Sequence, residues 1–576
     1  MTIPLVPGGP ESREGRFHLI WPLLLVAVVD LFAVWFVGAE HTLYHADQVT
    51  YWSYSRSLAE GIVSQPLAAF FAVARSVAEL DVNLLPAVPI AAVLVLLGGS
   101  RLAYVVSVIS LYGLAAVLSS IFALRGLGIN RHKPTSRAAL LTILLFATIW
   151  RPVFIGYLGI GGVAIGSAAL ALYLAGSLRS RWSVRTLVLI GFLAALIVVF
   201  RRWYLIWSLA LWVTVAADAA WNFVSRREWR GRALWKTMRA PIVVGTSAAA
   251  TMLVLCPSIT LRRFRTDYAD RFSAYGLDRS LIERLGSVLD EFGLALLLVV
   301  IGCSVLLLID RTARRLAALL LVQLMTTYLV MVSIQDHSPQ HWYLYYPAAM
   351  LLVGLGLTRM TAVLGDRKWS RAALAGVVGA AIATTAAVYV PAAAAVADRL
   401  GPLVPANRLR PKVRDDLREV DRLLRFLDRR LERDPGFTYV LASSETISEQ
   451  VLAFANLSLG THHPSTRTIL QSAHVDRRDG FPTGLLEAGT VLVAEPIQYH
   501  LDPADQQVIG IPAASFLEGE NVGSAFQRLA PVFALQGGVT VYVFARTRTP
   551  SEEEVAALSG LLAASYPDRP DIFLPQ

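Results

Sequence analysis

Leu85-Pro86-Ala87-Val88-Pro89-Ile90-Ala91-Ala92-Val93-Leu94-Val95-Leu96-Leu97-Gly98 decides how this chain is threaded. The stretch is apolar enough to be counted as a membrane crossing. Counting it would move the basic loop 125–137 to the outer side and invert every later loop, against the bias of lysine and arginine toward the inner side. Pro66, Pro86 and Pro89 also break the region into short pieces. Residues 49–98 are therefore read as juxtamembrane helices, partly embedded, inside a long first outer loop over 38–101.

Working outward from that stretch, apolar runs of about 17–22 residues recur, long enough to cross a hydrocarbon core as helices. The expected spans are 19–37, 102–124, 138–150, 159–177, 186–200, 204–221, 240–256, 292–309, 316–333, 343–361 and 372–390. Of all residues 55% are hydrophobic and 16% charged, where a soluble domain carries about 25% charged. Mean hydropathy is +0.53. Nothing after Val37 reads as a small-residue cleavage site, so the first run is expected to be a retained helix.

Basic residues gather in alternate loops: Arg13 and Arg16; Arg125, Arg131, Lys133 and Arg137; Arg179, Arg181 and Arg185; Arg226, Arg227, Arg230, Arg232, Lys236 and Arg239; Arg311, Arg314 and Arg315; Arg367, Lys368 and Arg371. The alternation predicts a cytoplasmic N-terminus and an outer C-terminus in a plasma or inner membrane. The net charge of +10 thus reports topology before any anionic partner, and no nucleic-acid partner is expected. The two cysteines, Cys256 and Cys303, fall at a span end and inside a span, and no disulfide is expected between them.

Three parts follow: a transmembrane part over 1–390, an Ala/Pro-rich linker over 391–410 and a soluble outer α/β domain over 411–576. The fold class is mainly α, a polytopic membrane protein with about eleven spans. In the tail, Leu417, Val420, Leu423, Leu424, Leu427 and Leu431 repeat at helical spacing. Residues 437–442, 490–494 and 539–545 read as buried strands, and 445–456 and 551–565 as helices.

Polar groups collect at the expected outer ends of spans. The first loop holds Glu40, His41, His45 and Asp47, followed by Trp52; Arg151 follows the third span, Arg201 and Arg202 the fifth, and His337, His341 and Tyr343 the ninth. Arginine binds phosphate bidentately and stays charged, which suits a lipid-linked phosphate. A carboxylate such as Asp47 suits deprotonation of a hydroxyl acceptor, with His45 assisting. Blander readings stand beside these. Interfacial tryptophan and tyrosine are ordinarily membrane anchors, and span-end arginines snorkel. His462-His463 reads as a turn, and Gly159-Ile160-Gly161-Gly162 as helix packing rather than a phosphate loop.

Four segments in order resemble the C-type glycosyltransferase superfamily, nearest to bacterial protein O-mannosyltransferase and aminoarabinose transferase relatives. They are Tyr44-His45-Ala46-Asp47-Gln48-Val49-Thr50-Tyr51-Trp52; Asn83-Leu84-Leu85-Pro86 with Leu97-Gly98-Gly99-Ser100-Arg101-Leu102; Pro152 through Leu174; and Gln340-His341-Trp342-Tyr343-Leu344-Tyr345-Tyr346-Pro347. Gln48 stands where the family commonly has a second acid, and His341 where it commonly has arginine or lysine.

The resemblance implies transfer of a sugar from a polyprenyl-phosphate donor to a protein, lipid or polysaccharide acceptor on the outer face. Asp47 would be the general base and His341 a donor-phosphate contact, while Glu40, Trp52, Arg151, Arg201, Arg202, His337 and Tyr343 complete the expected substrate-binding set. Some relatives use a divalent metal and others none, so the resemblance allows a metal without requiring one. The alternative is a transporter or flippase for a lipid-linked glycan, which would place charge deep within spans.

Overall fold

The computed structural model describes residues 13–127, 141–178, 182–226, 231–276, 279–364 and 368–575. The expected basic residues Arg131, Lys133, Arg137, Arg179, Arg181, Arg227, Arg230 and Arg367 lie outside the described residues. The chain divides into two compact units, one of residues 1–38, 54–265 and 279–410, the other of 39–53, 266–278 and 411–576.

Among the described residues, eight helices are long and apolar enough to cross a membrane: Ile20–Ala39, Arg101–Gly126, Ile160–Leu178, Tyr204–Ser225, Thr237–Leu255, Leu281–Ile309, Arg314–Val332 and Ala372–Tyr389. Each answers one of the eleven expected spans. Two others form the helices Val184–Phe200, 17 residues long, and Tyr346–Leu364. The last, 138–150, is described only from residue 141, and there the helix breaks at Phe146 into the 3-10 turn Ala147–Trp150.

The prolines act as the sequence suggests. Helix Asp47–Ser64 gives way at Gln65 to Pro66–Glu79, Pro86 sits in the turn Leu85–Ala87, and the apolar helix Val88–Leu97 ends at Gly98 with φ +81°. At ten residues Val88–Leu97 spans about 15 Å, half a hydrocarbon core, which is why it does not qualify as a crossing. The Ala/Pro stretch after Tyr389 is not extended; it forms the helical turns Pro391–Ala393, Ala394–Leu400 and Gly401–Leu403.

Glycines let aromatic rings into the helix packing. A Cβ on Gly162 would lie 2.2 Å from the Tyr204 ring, and one on Gly159 would lie 2.7 Å from Tyr343. The Tyr204 hydroxyl in turn donates to the Gly159 carbonyl at 2.8 Å. The 159–162 segment is thus a packing seat. Gly293 is required for a different reason. Its φ is +70°, which kinks the Leu281–Ile309 helix, and the backbone of Val404 and Pro405 lies within 2.8 Å of where a Cβ would be. The amides of Ala406 and Asn407 then donate to the Asp290 carbonyl at 2.8 and 3.1 Å.

The second unit is an α/β domain. Strands β1 (Phe437–Leu441), β2 (Ala488–Glu495), β3 (Phe526–Leu535) and β4 (Val539–Arg546) form one sheet in the order β1-β2-β4-β3. β1 and β2 run parallel and the other pairs antiparallel. Side chains alternate between two cores. Tyr439, Leu441, Val491 and Val493 pack beneath helices Gln507–Glu518 and Glu552–Ser565. Val440, Leu492 and Val541 pack against helix Leu417–Arg433. Leu43, from the loop after the first span, is part of this second core and only 3% exposed.

Candidate active site

In the second unit the 39–53 segment is held along the tail. The His41 amide donates to the Lys412 carbonyl at 2.9 Å, and the Arg414 amide donates to the His41 carbonyl at 2.7 Å. The Tyr44 amide reaches Ser458 Oγ at 3.3 Å, and the Tyr44 hydroxyl donates to Glu40 at 2.6 Å. Ala46 takes a left-handed φ of +49°, costly for a residue with a Cβ, and turns the chain directly into the helix that Asp47 begins. The Asp47 carboxylate therefore sits in the first turn of a helix, where the dipole favours negative charge.

His45 lies mostly buried beside Glu445, with Nε2 3.9 Å from Glu445 Oε1. Burial is the main influence and pushes His45 below the ordinary histidine value, although Glu445 pulls the other way. Its neutral imidazole faces Glu445, whose other oxygen is 2.5 Å from Lys412 Nζ. Trp52 is 3% exposed and packs edge-on against Tyr44 at 5.8 Å, so it is a packing residue here rather than a platform for a sugar.

The first unit holds a second polar set around Gln335–Tyr345. Arg202 lies over the Trp203 ring, 4.9 Å from its centroid, and Trp203 meets His341 edge-on at 4.5 Å. His341 Nδ1 accepts from the Ser338 amide at 3.0 Å. Burial, and then the charges of His337, Arg201 and Arg202, push His341 well below the ordinary histidine value. It is a neutral buried group at neutral pH, and the positive charge of this set comes from the arginines. His337 is stacked between Trp342 at 4.2 Å and Tyr328 at 6.0 Å, with Nε2 2.6 Å from the Tyr345 hydroxyl. Asp336 pairs with Arg279. Burial opposes its carboxylate, but hydrogen bonds from His337 together with Arg279 hold it below the ordinary carboxylate range.

Arg151 and Tyr343 turn inward. The Arg151 guanidinium bonds the fully buried Glu291, which also accepts from Asn407 Nδ2 at 3.1 Å. Tyr343 is fully buried and donates to the Ile149 carbonyl at 3.0 Å. Both side chains are engaged inside the helix packing, which leaves neither presented to a substrate. Glu291, Arg279 and Glu445 are not singled out by the sequence, whereas Asp336 lies in the polar Gln335–Tyr343 stretch at the outer end of the ninth expected span. The one local signal was Asp290-Glu291-Phe292-Gly293, two acids ahead of a glycine at a span boundary.

Among the described residues, no group of three or more histidine, cysteine and acidic side chains is arranged to hold a metal ion. His463 bonds Asp428 at 2.7 Å and Asp421 at 3.0 Å, acids that lie 35 and 42 positions away in sequence. Cys256 and Cys303 are free and buried.

No protein-family model matches the chain, and no curated protein matches it in sequence. Among solved structures, ArnT from Cupriavidus metallidurans bound to undecaprenyl phosphate is similar over 91% of this chain and 98% of that one. The TM-score is 0.51 and the identity 14%. The chain shares the fold of that ArnT structure. That likeness spans both units, so the fold shared with ArnT is a multi-pass membrane part together with a C-terminal domain.

Proposed function

We propose that the protein is an integral-membrane glycosyltransferase that moves a sugar from a polyprenyl-phosphate-linked donor to an acceptor on the extracytoplasmic face. The near-complete coverage of the ArnT structure, which holds undecaprenyl phosphate, carries this reading. The proposed orientation follows from the alternation of basic loops, with the C-terminal domain outside an inner or plasma membrane.

Asp47 is the proposed general base. Its carboxylate takes the proton of the acceptor hydroxyl as that oxygen attacks the anomeric carbon. The bond to the donor phosphate breaks in the same displacement and the anomeric centre inverts. Arg201 and Arg202 are proposed to hold the phosphate and stabilise the charge it gains on leaving, since guanidinium binds phosphate bidentately. His341, buried and neutral beside them, orients Trp203.

Purified full-length protein in lipid, supplied with a polyprenyl-phosphate sugar and an acceptor, is the test. Asp47→Asn is expected to lower turnover by about 10²–10⁴-fold without lowering the melting temperature. Full activity in that variant removes Asp47 from the role of base.

A further inference from the structure

The polar set around His45 is completed by residues far along the chain. Arg414 is buried, and its guanidinium makes four hydrogen bonds: two of 2.8 Å to Asp416, one of 3.0 Å to the Glu445 carbonyl and one of 3.0 Å to the Thr446 carbonyl. The backbone amide of the same residue donates to His41. Asp416 is held in turn by the Gln536 amide at 2.8 Å, ahead of β4. Arg414, through its side chain and its own amide, thus ties the loop after β1, which carries Glu445, to the backbone four residues before His45. Leu43 anchors the middle of that segment in the domain core.

We infer that the C-terminal domain positions the loop that carries Asp47, with Glu445 as the positioning residue: fixed by Arg414 and Lys412, it orients His45 two residues before the carboxylate. The inference rests on the proposal that Asp47 is the base. It gives the tail a role in turnover rather than in anchoring.

Glu445 suits a test because its side chain is 61% exposed, so Glu445→Gln does not disturb a core. The readouts are kcat, donor KM and the pH profile of full-length protein in lipid, with the polyprenyl-phosphate sugar as probe. Glu445→Gln is expected to lower kcat about 10–100-fold, the effect of misplacing a reacting group, and to leave donor KM within about twofold. The titratable and charged groups around His45 are Glu445, Glu449, Lys412, Arg414 and His500. Loss of the Glu445 charge therefore moves the acid limb of the profile to lower pH, and Glu445→Asp restores part of both effects.

A charge swap, Lys412→Glu with Glu445→Lys, keeps the ion pair but turns a cation toward His45, and activity is expected to stay low. Recovery in the swap, or a wild-type kcat and pH profile in Glu445→Gln, overturns the inference while an inactive Asp47→Asn keeps the base. An active Asp47→Asn overturns the base and the inference together.

Discussion

The Arg151–Glu291 pair makes a quantitative prediction about what holds the membrane unit together. Glu291 is fully buried in a helix that reads as membrane-spanning, and Arg151, at the start of the short helix Arg151–Ile155, is nearly so. Two opposite charges at about 4 Å attract by about 4 kcal/mol at an effective dielectric of about 20. Desolvating each ion costs several kcal/mol, so the pair as a whole contributes little net stability. Removing one partner is different, because it strands the other, and the usual cost is about 3–5 kcal/mol.

Glu291→Leu strands both Arg151 and the Asn407 amide, so it should be the worse of the two single changes. Arg151→Met leaves Glu291 with the Asn407 donor. The double variant removes both charges and orphans only the Asn407 amide, a cost of about 1–3 kcal/mol. It should therefore be more stable than Glu291→Leu alone. Unfolding of purified protein in mixed micelles, titrated with SDS and followed by tryptophan fluorescence, measures all four corners of the cycle. Additive single effects, with a coupling below about 0.5 kcal/mol, refute the pairing.

Other expectations are narrower. Gly162→Ala puts a methyl 2.2 Å from the Tyr204 ring and should cost about 1–3 kcal/mol, seen as a lower melting temperature. Arg414→Met leaves Asp416 buried without its cation and should cost about 3–5 kcal/mol at pH 7. In the native fold burial opposes the Asp416 carboxylate, but Arg414 and the Gln536 amide hold it below the ordinary value. Its contribution is thus present above the unfolded-chain pKa of about 3.9 and lost as pH falls through the folded value, so the deficit of Arg414→Met narrows below about pH 4. Cys256 and Cys303 are 3% and 6% exposed, and a maleimide should label them only after unfolding.

The spans were legible because a membrane imposes one rule, a long apolar run whose backbone bonds itself. Proline positions were legible for the same local reason, as at Pro66. The tail was legible where strands are buried on both faces, as in β1, β2 and β4. β3 was not foreseen: it is an edge strand, exposed at half of its positions, and Pro531 falls within its register shift between Arg528 and Val532. Helix Gln507–Glu518 hid behind Pro512 and a β-branched start, and the expected helix over 445–456 is two separate turns, Glu449–Ala453 and Ala455–Leu459. In the candidate site the 40–52 segment stood out by local composition. Its partners Lys412, Arg414 and Glu445 lie some hundreds of residues away, and no pattern in a single sequence reports such a pairing.

Charge inside the spans bears on the choice between transfer and transport. The sequence shows few mid-span charges, yet Asp218 is fully buried in the Tyr204–Ser225 span. It accepts from Tyr173 at 2.8 Å, Ser177 at 2.8 Å and Arg315 at 2.7 Å. At the ends of the expected 292–309 span, Asp310 pairs with Arg359 at 2.6 Å, and Glu291 with Arg151. A carboxylate that carries cargo or protons across a membrane must exchange partners during the cycle. Asp218 would have to give up three donors, one of them a guanidinium, and each unmatched buried group costs several kcal/mol. These carboxylates are better suited to fixing helices than to moving a substrate between them. The groups suited to chemistry, Asp47, His45 and Glu445 in one unit and Arg201 and Arg202 in the other, lie on helix ends and loops, which favours group transfer over passage through the bundle.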